Sequence, residues 1–165
     1  MKISKIIILI GIMLASYGCY SLKGISIAPD IKTFYVDNFY LKTIDAPSDL
    51  DQIFSEKLRQ KIRNESSLNY SDNDADISFS GYVANYRITG LAARDDASVE
   101  LNQLTIDIQV DYENTKNEKD NFSKKFSFFT TFPSDSDLQN IQYQLIEDIL
   151  NQITENIFNE AFTNW

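Results

Sequence analysis

"LTIDIQVDY", residues 104–112, decides the architecture. Leu104, Ile106, Ile108, Val110 and Tyr112 fall on one side of a two-residue period, and Thr105, Asp107, Gln109 and Asp111 on the other. Successive side chains of a strand point to opposite faces. The stretch therefore reads as an antiparallel strand with one apolar and one wet face. Its flanks read the same way. Downstream, the charged turn "NTKNEKD" (114–120) leads into "NFSKKFSFFTTF" (121–132), where Phe122, Phe126, Phe128 and Phe132 are in phase. Upstream, "DISFSGYVANYRITG" (76–90) keeps Ile77, Phe79 and Val83 on one face and then moves Tyr86 and Ile88 to the other parity. That switch predicts a bulge near Ala84-Asn85. The loop "GLAARDDASVE" (90–100) joins the two strands.

An apolar sheet face needs a cover, and two helical patterns supply it. Leu50, Ile53, Phe54, Leu58 and Ile62 lie at helical spacing after Pro47, predicting a helix over 48–65 with a capping box from Ser48 to Asp51. A longer stripe, Leu138, Ile141, Leu145, Ile149, Ile153 and Ile157, widened by Ile146, Leu150 and Phe158, predicts a helix from Ser136 to Phe162. About 26 residues at 1.5 Å each reach roughly 39 Å, enough to cross a sheet of three or four strands. "IKTFYVDNF" (31–39) reads as a first strand. The order β-α-β-β-β-α gives an α+β two-layer sandwich, a small mixed and mostly antiparallel sheet with two helices packed on one face.

Residues 1–30 have a different character. Lys2 and Lys5 precede the uncharged run "IIILIGIML" (6–14), and small residues lead to Gly18-Cys19. This is the layout of a secretory signal, too short to span a membrane. Cys19 is the single cysteine of the chain. A small residue before it resembles the bacterial lipobox, in which the sulfur carries diacylglycerol and the chain is cut before the cysteine. The expected organisation is a lipoprotein signal peptide over 1–18, a lipidated tether over 19–30 and one domain over 31–165.

Composition removes several classes of function. The chain has 15 basic and 24 acidic residues, net −9, and no histidine. Nucleic acid is a poor partner for so acidic a protein. Ser-His-Asp and Cys-His catalysis are excluded, together with most zinc sites. Five glycines make no phosphate loop. "DNDAD" (72–76) lacks the glycine and closing glutamate of a calcium loop. No enzyme, cofactor or metal is expected.

Four stretches, "GCYSLKGISIAPDIKTFYVDNF", "LNQLTIDIQVDYEN", "DNFSKKFSFF" and "LIEDILNQITENIFNEAFTNW", make the chain resemble a distant short branch of the LptE family of lipopolysaccharide-assembly lipoproteins. The resemblance implies two helices on one face of a small mixed sheet. It also implies a non-enzymatic protein held at the periplasmic face of the outer membrane by its lipid. Such a protein plugs the LptD β-barrel and assists insertion of lipopolysaccharide. Family members are linked to lipopolysaccharide through basic side chains. The candidates here are Arg87, Arg94, Lys124 and Lys125, none of them in a matched motif. The residues alone also fit a scaffold lipoprotein of another envelope machine, or a small-ligand module with an apolar pocket under its helices.

Overall fold

The computed structural model describes residues 27–91 and 100–163. In chain order the elements are β1 (Thr33–Val36), β2 (Tyr40–Leu41), α1 (Leu50–Glu65), β3 (Asn69–Tyr70), β4 (Ile77–Gly90), β5 (Leu101–Asn114), β6 (Phe122–Pro133) and α2 (Leu138–Phe162). A short 3₁₀ turn, Glu118–Asp120, lies between β5 and β6. The expected α+β sandwich is what forms. The sheet order is β3-β1-β4-β5-β6, with β2 pairing β4 beyond the end of β1. β4, β5 and β6 are antiparallel, while β1 and β2 run parallel to β4.

Leu104, Ile106, Ile108, Val110 and Tyr112 of β5 are all buried, as their alternation required. They meet Ile77, Phe79, Val83 and Tyr86 of β4, and Phe126 and Phe132 of β6, on the same face. The register shifts between Val83 and Asn85, which puts the bulge at Ala84 and returns Tyr86 to the core side. Leu50, Phe54, Leu58 and Ile62 of α1 and Ile146, Ile149, Leu150, Ile153, Ile157 and Phe158 of α2 close the core from above. Each such side chain contributes about 1.5–3 kcal/mol of transfer free energy. Ile27 already packs against this core.

The helix starts differ from expectation. α1 begins at Leu50, with Asp49 as N-cap and no side-chain capping bond. The Asp51 carboxylate accepts from the adjacent Gln52 N–H instead of forming a box with Ser48. Pro47 accepts the Leu50 N–H and sets the turn. α2 begins at Leu138, capped by Asp137, whose side chain accepts from the Gln139 N–H.

The expected first strand is also broken. After Val36 the backbone leaves the ladder, and the partner offset along β4 falls by one residue before Tyr40 pairs with Tyr82. The cause is Phe39. Its N–H donates to Ser55 Oγ at 3.0 Å, and its ring packs edge-on against Phe54, centroids 4.8 Å apart. Gly81 makes the room, with φ +148°, where a Cβ would stand 2.0 Å from the Gln109 carbonyl oxygen and 2.8 Å from the Phe39 ring. Glycine is the residue that tolerates both the dihedral and the approach.

Asp76 ties the far end together. Its carboxylate accepts from the N–H groups of Lys32 and Thr33, at 2.8 and 3.0 Å, and from the Thr33 hydroxyl. It also pairs with Lys116 at 2.9 Å. Lys116 and these donors hold the carboxyl well below the usual aspartate value.

Gly81→Ala is expected to cost about 3 kcal/mol or more in urea unfolding, combining dihedral strain with a backbone clash. Asp76→Asn is expected to lower the melting temperature at neutral pH. A depressed carboxyl contributes fully above its ordinary value of 3.8 and loses that contribution as pH falls below it. The gap between variant and wild type should therefore close on acidification below about pH 4, and calorimetry over pH 2–7 measures it.

Candidate functional site

Both helices cover one face of the sheet, so the other face is the surface with side chains to spare. Its rungs follow from the register. Arg87, Thr105 and Phe129 share one row, then Asn85, Asp107 and Ser127, then Tyr82, Gln109 and Lys125, then Ser80, Asp111 and Ser123. Short polar side chains knit the middle rows. Asp107 accepts from the Ser127 hydroxyl at 2.5 Å and from the Asn85 amide at 3.3 Å. The Ser123 hydroxyl donates to Asp111 at 2.5 Å and accepts from the Gln109 amide at 3.0 Å. The central strand thus carries carboxylates, flanked by Arg87 on β4 and Lys125 on β6. Toward the β2 side, Tyr40 stacks obliquely on Tyr82 with centroids 5.5 Å apart, and the Lys42 ammonium lies 4.4 Å from the Tyr82 ring.

Two apolar features interrupt this wet surface. Phe129 is 52% exposed. At the end of the β4–β5 hairpin, Leu91 and Leu101 are joined by a 2.8 Å backbone bond and are both exposed. The doubled Phe128-Phe129 is a signal that could have found the first, because adjacent strand residues cannot share a face. The hairpin end carried no periodic signal.

The expected basic candidates are distributed unevenly. Arg87 and Lys125 stand on the open face. Lys124, next in sequence to Lys125, points to the helix side and pairs with Glu160 of α2 at 2.8 Å. Arg94 and Cys19 lie outside the described residues. Among the described residues no group of His, Cys, Asp or Glu could hold a metal ion. Among the described residues no nucleophile, base and orienting group converge on the open face.

The helix side offers grooves. One of about 500 Å³ is lined by Asp49, Gln52, Ile53, Glu56, Lys57 and Gln60, all on or beside α1. Another of about 310 Å³ lies between the helices, lined by Lys57, Lys61, Glu65 and Glu155 among others. Both are surface features with charged walls. Lys61 bridges Glu65 and Glu155 across the second, which ties α1 to α2.

Lys124→Ala is expected to lose an exposed ion pair and no more than about 1 kcal/mol. Lys125→Ala and Arg87→Glu should leave stability within about 0.5 kcal/mol, since both side chains are exposed away from the core. Thermal denaturation of the three variants checks the separation of the two lysines between faces.

The family model described as LptE, lipopolysaccharide-assembly, matches residues 31–161. No curated protein matches the sequence significantly. Several solved structures share the fold. A hypothetical protein of Chlamydia trachomatis superposes with a TM-score of 0.54 at 9% identity, covering 81% of this chain and 99% of that one. A Xanthomonas campestris protein gives 0.53 at 12% identity, over 81% and 87%. The rare lipoprotein B of Shewanella oneidensis gives 0.50 at 12% identity, over 78% and 92%.

Proposed function

The chain belongs to the LptE lipopolysaccharide-assembly family, and from that premise we propose that it is a non-enzymatic, lipid-anchored partner of an LptD-like outer-membrane β-barrel, which it enters as a plug to assist insertion of lipopolysaccharide. The observation that carries this reading is the family match over 31–161 combined with an open, polar sheet face that the protein itself leaves uncovered. Hydrogen-bonded carboxylates, amides and hydroxyls suit the wet interior of a large barrel. A plug needs no catalytic constellation. The grooves on the helix side are open surface features and enclose no pocket under the helices for an apolar ligand.

The anchor is proposed at Cys19, at the end of the signal-like segment 1–18. Two or three acyl chains, at about 0.8 kcal/mol per buried methylene, would hold the domain at the inner leaflet. One structural relative carries lipoprotein in its name, which agrees with this. With the anchor at the amino-terminal end, the hairpin end bearing Leu91 and Leu101 is the part proposed to point into the lumen. Arg87 and Arg94 would then meet anionic lipid or an acidic barrel wall.

An affinity pull-down from detergent-solubilised membranes tests the partner, with recovery of a large β-barrel protein expected. Depleting the chain should stop lipopolysaccharide from reaching the cell surface, and unchanged surface lipopolysaccharide would contradict the reading. Cys19→Ala is expected to release the protein from the membrane. Mass spectrometry of the mature amino terminus should find a diacylated Cys19, and an unmodified thiol would remove the anchor from the account.

A further inference from the structure

The outer edge of β6 is the least protected part of the described fold. β6 pairs with β5 along its whole length, from Phe122 opposite Tyr112 to Pro133 opposite Leu101, and has no strand on its other side. The ladder fixes which of its backbone groups point outward. Glu100 O accepts from Ser134 N, and Leu101 O accepts from Leu91 N on the other side. In an antiparallel ladder these directions alternate. The even-numbered residues of β6 therefore bond to β5, and Ser123, Lys125, Ser127, Phe129 and Thr131 aim their N–H and C=O groups away from the sheet. Among the described residues nothing pairs with these groups. The row extends about 27 Å at 3.4 Å per residue.

Edges of this length are normally blunted by charge, proline, bulges or shortness. Here lysines stand only at one end, Lys124 and Lys125, and a proline only at the other, Pro133. The stretch between, "FSFFTTF" from Phe126 to Phe132, is uncharged and rich in β-formers. The opposite edge strand, β3, has two residues and offers no such template.

We propose that the β6 edge receives an extended segment of the barrel partner as an added antiparallel strand, with an acidic side chain opposite Lys125 and an apolar one opposite Phe129. The inference rests on the proposed function for the identity of the partner and adds the form of the contact. The charge term follows from Lys125, which makes no ion pair among the described residues, whereas Lys124 is already paired with Glu160. A second copy paired edge to edge would bring the two α2 helices together on one face, since α2 packs chiefly on β6 and only lightly on β5, and crosslinking to another copy is an outcome of the test. A wall strand of the barrel does not fit, because a closed barrel has no open edge. The added strand must come from a loop or a terminal segment of the partner.

The test uses the full, membrane-anchored chain and recovery of the barrel protein from detergent-solubilised membranes. In Ser127→Pro the lost N–H is one that points outward, so the β5–β6 ladder stays intact. Recovery is expected to fall at least tenfold, with wild-type circular dichroism and a melting temperature lowered only by loss of the Ser127–Asp107 hydrogen bond. Lys125→Glu, on the exposed face, is expected to fall in the same direction, and it decides the question alone if the proline variant does not fold. A photoreactive side chain at 127 or 129 should crosslink to an extended, acidic segment of the barrel protein. Full recovery with both variants, or crosslinks confined to the chain itself or to another copy, would overturn the added strand while leaving the proposed function standing. Failure of the wild-type chain to recover any barrel protein would overturn the proposed function and this inference with it.

Discussion

The five inward side chains of β5, Leu104, Ile106, Ile108, Val110 and Tyr112, form the buried centre of the sheet, against which β4, β6 and α2 pack directly. They hold β4 on one side and β6 on the other, and they give both helices a single surface to cover. Because α1 and α2 spend their apolar stripes on that surface, nothing in the described chain remains to close the opposite one. The open face is a consequence of one-sided burial. Its small side chains bond mainly to one another across the rungs, as Asp107 does with Ser127 and Asn85.

The same burial explains the irregularities. Phe39 leaves the β1 ladder to reach Phe54, and that passage requires Gly81 in a backbone conformation other residues rarely adopt. The bulge at Ala84 lets a fourteen-residue strand keep its apolar side chains inward on both sides of the interruption. Asp76 then fastens the start of β1 to the β5–β6 turn through Lys116. These are local departures from regular structure that protect one continuous core.

The parts of this fold that were legible in the sequence are those with a period. The alternation of β5, the parity switch at Ala84-Asn85 and the stripe of α2 each gave the correct element and the correct inward face. What had no period was not visible. β2 and β3 are two residues each, too short to show alternation. The break after Val36 depends on Phe39 meeting Phe54 and on a glycine 42 positions away from it in the chain. The α1 capping box failed because Pro47 already sets the first turn, leaving Asp49 at the cap. For the candidate site, neighbouring lysines on a strand had to face opposite ways, and the structure sends Lys124 to Glu160 and Lys125 to the open face. The exposed edge of β6 was out of reach, since strand order is set by tertiary pairing.

The proposed function puts the working surface on the sheet, with the helices turned away from the proposed barrel. Residue-resolved amide hydrogen exchange, on the isolated domain and on the domain bound to the proposed barrel protein, measures this most directly. For the isolated domain the amides of Ser123, Lys125, Ser127, Phe129 and Thr131 should exchange fast, while the intervening amides of β6, bonded to β5, exchange slowly. In the complex the fast set should become protected along with the open face. Protection that falls on the outer surfaces of α1 and α2, with the β6 amides still exchanging at their isolated rates, would contradict the account.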